Sequence, residues 1–260
     1  MIFMLAGTSD ARSLALELQR SNFDVTATVV TESAAASLEE VGLKHLVGRL
    51  TAQEMATILT EQGYTIVVDA SHPFAEEASK NAMAAAEMAN IPYIRYERAH
   101  EQYAHPLITV VKDYEEAAQL AAEKRGVIML TTGSKTLATF TKVLHGLENT
   151  RLIARMLPRL DNMEKCDALG VAQKDIVAIQ GPFSKELNEA LFRQYDVTLM
   201  ITKESGKVGS VDEKLEAALA CNIETILIAR PNIKYGQQYS TFDEVVQAVT
   251  DTLGGNTNGL

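Results

Sequence analysis

Positive charge is scarce in this sequence. Lys and Arg number 24 against 34 Asp and Glu, so the 260-residue chain carries a formal net charge of −10. A whole-surface grip on nucleic acid or anionic lipid needs clustered positive charge and is not expected. Cysteine is scarcer: Cys166 and Cys221 are too few for a disulfide framework or a closed zinc site. No second His or Cys stands at metal-ligand spacing from His72, so no metal site is expected. Long hydrophobic runs are missing. The opening run Met1 to Ala6 stops at Gly7, short of a signal peptide, and no stretch approaches the roughly 18 apolar residues of a membrane span. Signature motifs are missing as well. There is no G-x-G-x-x-G, no G-x-x-x-x-G-K-[ST] and no G-x-S-x-G. Tyr and Phe follow no stacking pattern, which disfavours single-stranded nucleic acid. The expectation is an acidic protein of a reducing compartment, read as cytoplasmic, with no nucleic-acid or membrane partner and an open oligomeric state.

What is present is a regular alternation. With 47% hydrophobic and 22% charged residues the chain can bury a sizeable core. Strands are predicted at Ile2–Leu5, Val25–Val30, Ile66–Asp69, Ile108–Val111, Val127–Leu130, Arg151–Ala154, Ile176–Ile179, Val197–Ile201 and Thr225–Ile228. Helices are predicted at Asp10–Arg20, Thr51–Gln62, Ala75–Ala89, Tyr114–Lys124, Lys135–His145, Lys185–Arg193, Val211–Ala220 and Phe242–Thr252. Strands apolar on both faces and separated by helices indicate an α/β fold with mainly parallel sheets. Short turns also recur. Gly7-Thr8-Ser9 parallels Thr132-Gly133-Ser134-Lys135, and Ser71-His72-Pro73-Phe74 parallels Gly181-Pro182-Phe183. This suggests two similar α/β domains, residues 1–125 and 126–260. The first carries 10 basic and 18 acidic residues and the second 14 and 16, net −8 and −2.

Sheets of this kind bind ligands beyond the carboxyl ends of their strands, so the chemistry is sought in the strand-to-helix turns. Gly7 lets backbone approach a ligand, and Thr8 and Ser9 set hydroxyls beside helix N–H groups that favour anions. Asp10 is equally a good N-cap. Ser71 and His72 end a strand, with Pro73 holding His72 extended. Asp69 reads as a structural hydrogen-bonding residue. Gly133, Ser134 and Lys135 repeat the anion cradle and add a cation. Arg151 and Arg155 alternate onto one face of a strand, a pattern that suits carboxylates or a solvated sheet edge. Arg95 and Arg98 form a similar pair. Lys203 stands at a strand's carboxyl end before a flexible Ser205-Gly206 turn.

These turns, in this order, resemble the precorrin-6A reductase family of corrin-ring biosynthesis. The residues that carry the resemblance are Gly7-Thr8-Ser9 with Ala11 and Arg12, Ser71-His72-Pro73-Phe74-Ala75, Arg95 with Glu97-Arg98, and Thr132-Gly133. Further on they are Gly181-Pro182-Phe183, Lys203 with Ser205-Gly206, Lys214 and Arg230-Pro231. Departures are Glu204 where the family usually has Asn, Ala99 where it has Pro, and Ser134-Lys135 where Arg is common. No Trp is present, and Tyr103 stands where the family often has one.

The resemblance implies two Rossmann-like halves with an interdomain cleft. It implies hydride transfer from NADH or NADPH to the C18–C19 double bond of precorrin-6A or cobalt-precorrin-6A, in cobalamin biosynthesis. Ser71 and His72 are then the expected catalytic residues. Gly7, Thr8, Ser9, Thr132, Gly133, Ser134 and Lys135 would hold the cofactor. Arg95, Arg98, Arg151, Arg155, Lys203, Ser205, Gly206 and Lys214 would hold the carboxylates of the tetrapyrrole. Glu32, after the second strand, would accept from a ribose 2′-hydroxyl and lean the choice towards NADH. A dinucleotide-dependent epimerase is set aside because no Tyr-x-x-x-Lys is present: Tyr103, Tyr114 and Tyr195 are followed four residues on by Leu107, Ala118 and Leu199. A non-catalytic dinucleotide or tetrapyrrole sensor on the same fold is the competing expectation.

Overall fold

The structure is a computed structural model that describes residues 1–99, 103–204 and 212–254. The chain divides into two compact units. The first is Met1–Ala99 together with the chain from Asn232 onward, and the second is the stretch between, ending at Pro231.

In the first unit the strands are β1 (Ile2–Leu5), β2 (Val25–Val29), β3 (Lys44–Val47), β4 (Ile66–Asp69) and β5 (Tyr93–Tyr96). Helices α1 (Ser9–Arg20), α2 (Glu32–Glu39), α3 (Ala52–Glu61) and α4 (Glu76–Met88) connect them. The sheet order is β3-β2-β1-β4-β5, all parallel, the doubly wound order of a dinucleotide-binding half. Strand pleating sorts the core. Ile2 and Met4 pack with Leu14 and Leu18 of α1 and Leu38 of α2, while Phe3 and Leu5 pack on the other face with Met55 and Leu59 of α3 and Ala82 and Ala85 of α4. Helix α3 begins at a capping box between Thr51 and Glu54, which fixes where the element starts.

In the second unit β6 (Ile108–Val111), α5 (Tyr114–Lys124), β7 (Gly126–Leu130), α6 (Leu137–Leu144), β8 (Thr150–Met156) and α7 (Leu160–Ala168) come first. They are followed by β9 (Ile176–Ala178), α8 (Lys185–Gln194), β10 (Leu199–Lys203), α9 (Glu213–Ala220) and β11 (Glu224–Ile228). The order is β9-β8-β7-β10-β11-β6, again parallel throughout. Five of these strands repeat the order of the first unit. The sixth, β6, stands in the chain before β7. The first unit likewise takes its sixth strand, β12 (Gln238–Tyr239), and α10 (Phe242–Gly254) from the chain beyond β11; β12 pairs with β5, and Val245 and Val249 of α10 enter the core beside α1.

This arrangement corrects the expected domains 1–125 and 126–260. The boundary at Arg125-Gly126 falls inside the second unit, because β6 pairs with β11 and α5 packs against β11 and α6. On the observed units the charge split is unchanged, 8 basic to 16 acidic and 16 to 18. The equivalence of the two Pro-Phe turns is also corrected. Ser71-His72-Pro73-Phe74 follows the fourth strand of its sheet, whereas Gly181-Pro182-Phe183 follows β9, which holds the place of β3. The equivalent of the His72 turn is the one beginning at Lys203. The Gly7 and Gly133 turns are equivalent, each following the first central strand.

Candidate active site

Each sheet has a switch point beside its first strand, between β1 and β4 in the first unit and between β7 and β10 in the second. In the first unit, Gly7 sits at φ +150°, a conformation L side chains avoid, and nothing lies within 4 Å of where its side chain would begin. The N-cap of α1 is Thr8, whose hydroxyl accepts from Ala11 N–H at 3.1 Å, and not Asp10 as expected. Asp10 lies in the first turn and ion-pairs with Arg98. Arg98 is therefore brought to the Gly7 turn.

The second turn at this switch point is built on Pro73. The Ala75 N–H donates to the His72 carbonyl at 2.8 Å, a four-residue turn with Pro at its second position. Within it Phe74 N–H donates to His72 Nδ1 at 3.2 Å. Nδ1 is thereby an acceptor, so the neutral ring carries its proton on Nε2. Ser71 differs from the expectation. It is buried, its hydroxyl donates to Asp69 Oδ1 at 2.7 Å, and Arg95 Nη1 donates to it at 3.2 Å. Its proton is committed internally, which removes it as a proton donor to a ligand.

Arg95 is corrected more strongly. Its side chain is 0% exposed, and it lies between two carboxylates, with Nη1 2.9 Å from Asp69 Oδ1 and Nη2 2.9 Å from Glu97 Oε2. Tyr93 donates to Asp69 Oδ2 at 2.7 Å, and the Tyr235 ring lies 4.8 Å from the Arg95 guanidinium. Burial works against the guanidinium charge, but Asp69, Tyr235 and Glu97 outweigh it and raise its pKa. Burial, then Asp69, raises the Tyr93 phenol as well. Arg95 is an internal counter-ion beneath the His72 turn, its side chain closed off from a substrate, and Asp69 is structural, as its sequence setting suggests.

The second unit has a pocket of about 490 Å³ beyond the carboxyl ends of β7, β8 and β9, lined by Gly133, Arg155, Phe183, Asp212, Glu213 and Lys214 among others. Arg155 is 6% exposed; its Nη1 donates to Asn188 Oδ1 at 2.7 Å, and its guanidinium lies 4.6 Å from the Phe183 ring centre. Among the described residues no carboxylate comes within ion-pair distance of it. Burial lowers its pKa to about 10 against the opposing influence of Asp212, so it remains charged at neutral pH. A side chain at Gly181 would meet the Phe183 ring at 3.1 Å, so this glycine lets Phe183 fold back beneath Arg155.

Lysines gather beside it. Burial, then Lys214 and Lys135, lowers the Lys203 pKa, so Lys203 lies in the field of the other two ammonium groups. Lys214 is held 3.2 Å from Asp212. Lys135 lies in the turn, not in a first helical turn, because α6 begins at Leu137. Ser134 donates to Asn162 Oδ1 at 2.6 Å, and Gly133, at φ +79°, again faces open space. Arg151 is not brought here. It sits at the amino end of β8, paired with Asp175 at 2.7 Å and 5.8 Å from the Tyr195 ring centre. Arg155 lies four steps further along the strand, about 13 Å away. Glu204 turns inward, 3.1 Å from Arg230, with both side chains buried. Ser205 and Gly206 lie outside the described residues.

Sequence reasoning missed Asn188, Asn162 and Asp212, the groups that orient Arg155, Ser134 and Lys214. Asn188 and Asn162 sit one per helix among ordinary polar neighbours, so nothing local marks them.

The family model described as "Precorrin-6x reductase CbiJ/CobK" matches residues 1–250. The chain belongs to this family. It is thereby an oxidoreductase of cobalamin biosynthesis acting on a C=C bond. The cobalt-precorrin-6A reductase of Priestia megaterium is 59% identical over 251 residues, spanning 96% of this chain and 98% of the relative. The enzyme of the same description from Methanocaldococcus jannaschii is 34% identical, over 96% and 98%. The precorrin-6A reductase of Rhodococcus erythropolis is 27% identical, over 95% of each chain. A solved structure, "CobK precorrin-6A reductase", superposes with a TM-score of 0.76 at 23% identity and 96% coverage of each chain, which shows the fold. No helix among the described residues is long and apolar enough to cross a membrane.

Proposed function

We propose that this chain reduces the C18–C19 double bond of cobalt-precorrin-6A with a nicotinamide dinucleotide. The observation that carries this reading is Arg155, a buried guanidinium with no carboxylate within ion-pair distance among the described residues, lining a pocket that Lys214 also lines. A desolvated guanidinium held only by a neutral amide favours an anionic ligand, and a corrin precursor presents acetate and propionate groups. The cobalt form is favoured because relatives named for it reach 59% and 34% identity, against 27% and 26% for two named for precorrin-6A.

The residues of the first unit fit the dinucleotide. Gly7 leaves open space at the mouth of a twelve-residue helix, and Ser9 and the tethered Arg98 stand beside it, so this turn takes the diphosphate. Thr132, Gly133, Ser134 and Lys135, expected to hold the cofactor, line or adjoin the Arg155 pocket instead. We assign them, with Lys203 and Lys214, to the carboxylates of the tetrapyrrole. When bound, the reduced nicotinamide supplies the hydride. His72 holds a proton at Nε2 and orients the nicotinamide ring as a donor. The Asp69–Arg95–Glu97 set fixes the turn that carries it. NADH is the reading that Glu32 supports.

Anaerobic mixing of the protein with NADH and cobalt-precorrin-6A should consume reduced-nicotinamide absorbance. No oxidation of NADH or NADPH with either the cobalt or the metal-free substrate would overturn the proposal. His72→Ala should lower kcat about 100-fold, in line with loss of a positioned donor, while dinucleotide Kd stays nearly unchanged. Unaltered turnover would remove His72 from the mechanism.

A further inference from the structure

Around Glu32, the carboxyl ends of β2 and β3 hold residues to which no role has been given. Val29 pairs with Val47, and Gly48 N–H donates to Val29 O at 2.9 Å, so the segments leaving the two strands run side by side. Val30 is 51% exposed and Val47 is 44% exposed, both large apolar side chains left in solvent at this edge. Gly48, at φ +142°, has nothing within 4 Å of where a side chain would begin. Two residues past the Val29–Val47 pair, Arg49 is exposed on one segment, and three residues past it Glu32 is exposed at the start of α2 on the other. Among the described residues neither has an ion-pair partner. An apolar pair with an unmatched carboxylate and an unmatched guanidinium beside it suits an adenosine whose 2′ position is read by charge.

We propose that Glu32 and Arg49 together set which nicotinamide dinucleotide the chain takes. This rests on the assignment of the dinucleotide to the first unit and goes beyond it by naming opposed residues. Glu32 accepts from a 2′-hydroxyl and repels a 2′-phosphate. Arg49 stands on the neighbouring strand end, where a 2′-phosphate would find it once Glu32 no longer carries charge. The unsubstituted protein therefore prefers NADH, and the capacity for NADPH is latent in Arg49.

The test is equilibrium binding, followed by quenching of intrinsic tyrosine emission or by calorimetry, with NADH, NADPH and adenosine 2′,5′-bisphosphate as probes. Glu32→Ser should tighten NADPH and the bisphosphate by about tenfold or more, the size of one charge-assisted contact, and weaken NADH. Adding Arg49→Ala to Glu32→Ser should abolish that gain. Both residues are exposed, so thermal midpoints should stay close to that of the unsubstituted protein. If dinucleotides bind but Glu32→Ser leaves the NADPH to NADH ratio unmoved, or the gain survives Arg49→Ala, the selectivity proposal is overturned and the reductase reading stands. If neither dinucleotide binds the unsubstituted protein, both fall.

Discussion

Arg155→Ala is expected to raise the KM for the tetrapyrrole about 100-fold and to leave dinucleotide Kd nearly unchanged. The size follows from its setting. A buried guanidinium held by Asn188 and seated on Phe183 is oriented before any ligand arrives, and removing one partner of a buried charge pair costs about 2–5 kcal/mol of binding. A stability measurement separates this role from a structural one. The guanidinium is desolvated without a carboxylate partner among the described residues, so replacing it with an apolar chain of similar volume removes a burden. Arg155→Met should leave the thermal midpoint unchanged or raise it while substrate affinity falls. Equal loss of substrate and dinucleotide affinity, or a large fall in midpoint, would count against Arg155 as a carboxylate ligand.

Arg95→Met should behave in the opposite way, destabilising the first unit by about 3–5 kcal/mol, which corresponds to roughly 10 °C or more in Tm. The substitution leaves Asp69 and Glu97 buried with their shared counter-charge gone. It also frees Tyr235 from the contact that ties the returning chain to β5. Glu97→Gln keeps the Arg95–Asp69 pair and should cost much less. Chemical denaturation of both variants checks this. A loss below about 1 kcal/mol for Arg95→Met would show that the buried set does not hold β4 and β5 together.

Most strands and helices were legible because they are apolar on both faces or amphipathic at helical spacing. The elements that escaped share a cause. β3, Lys44–Val47, is an edge strand with exposed Lys44 and no apolar run. β5 contains Arg95, which reads as a surface ligand because an isolated arginine in a sequence gives no sign of two buried carboxylates. α2 and α7 bury little large apolar surface, Ala35 and Leu38 in one and Asn162 and Cys166 in the other, so neither shows an apolar face. The Gly7 and Gly133 turns, open beside their glycines, and Arg155, which lines a pocket, were singled out from glycine, hydroxyl and strand spacing, which are local signals. The wrong domain boundary, the false equivalence of the Pro-Phe turns and the misplaced role of Arg95 all depend on pairings between distant parts of the chain, and no window of sequence contains them.

The late arrival of β12 and α10 has a consequence for how the protein is made. Their residues follow β11, so the first unit lacks a sheet strand and two buried valines, Val245 and Val249, until nearly the whole chain has been synthesised. The segment emerging first from a ribosome would wait, with the apolar flank of α1 uncovered, while the second unit folds as a continuous stretch. Contacts of such long sequence separation slow folding and expose intermediates to aggregation. A nascent chain stopped before Gln238 should therefore engage chaperones more than one carried through α10. The unit whose strands come first in the chain gains its last strand only after the other sheet is complete.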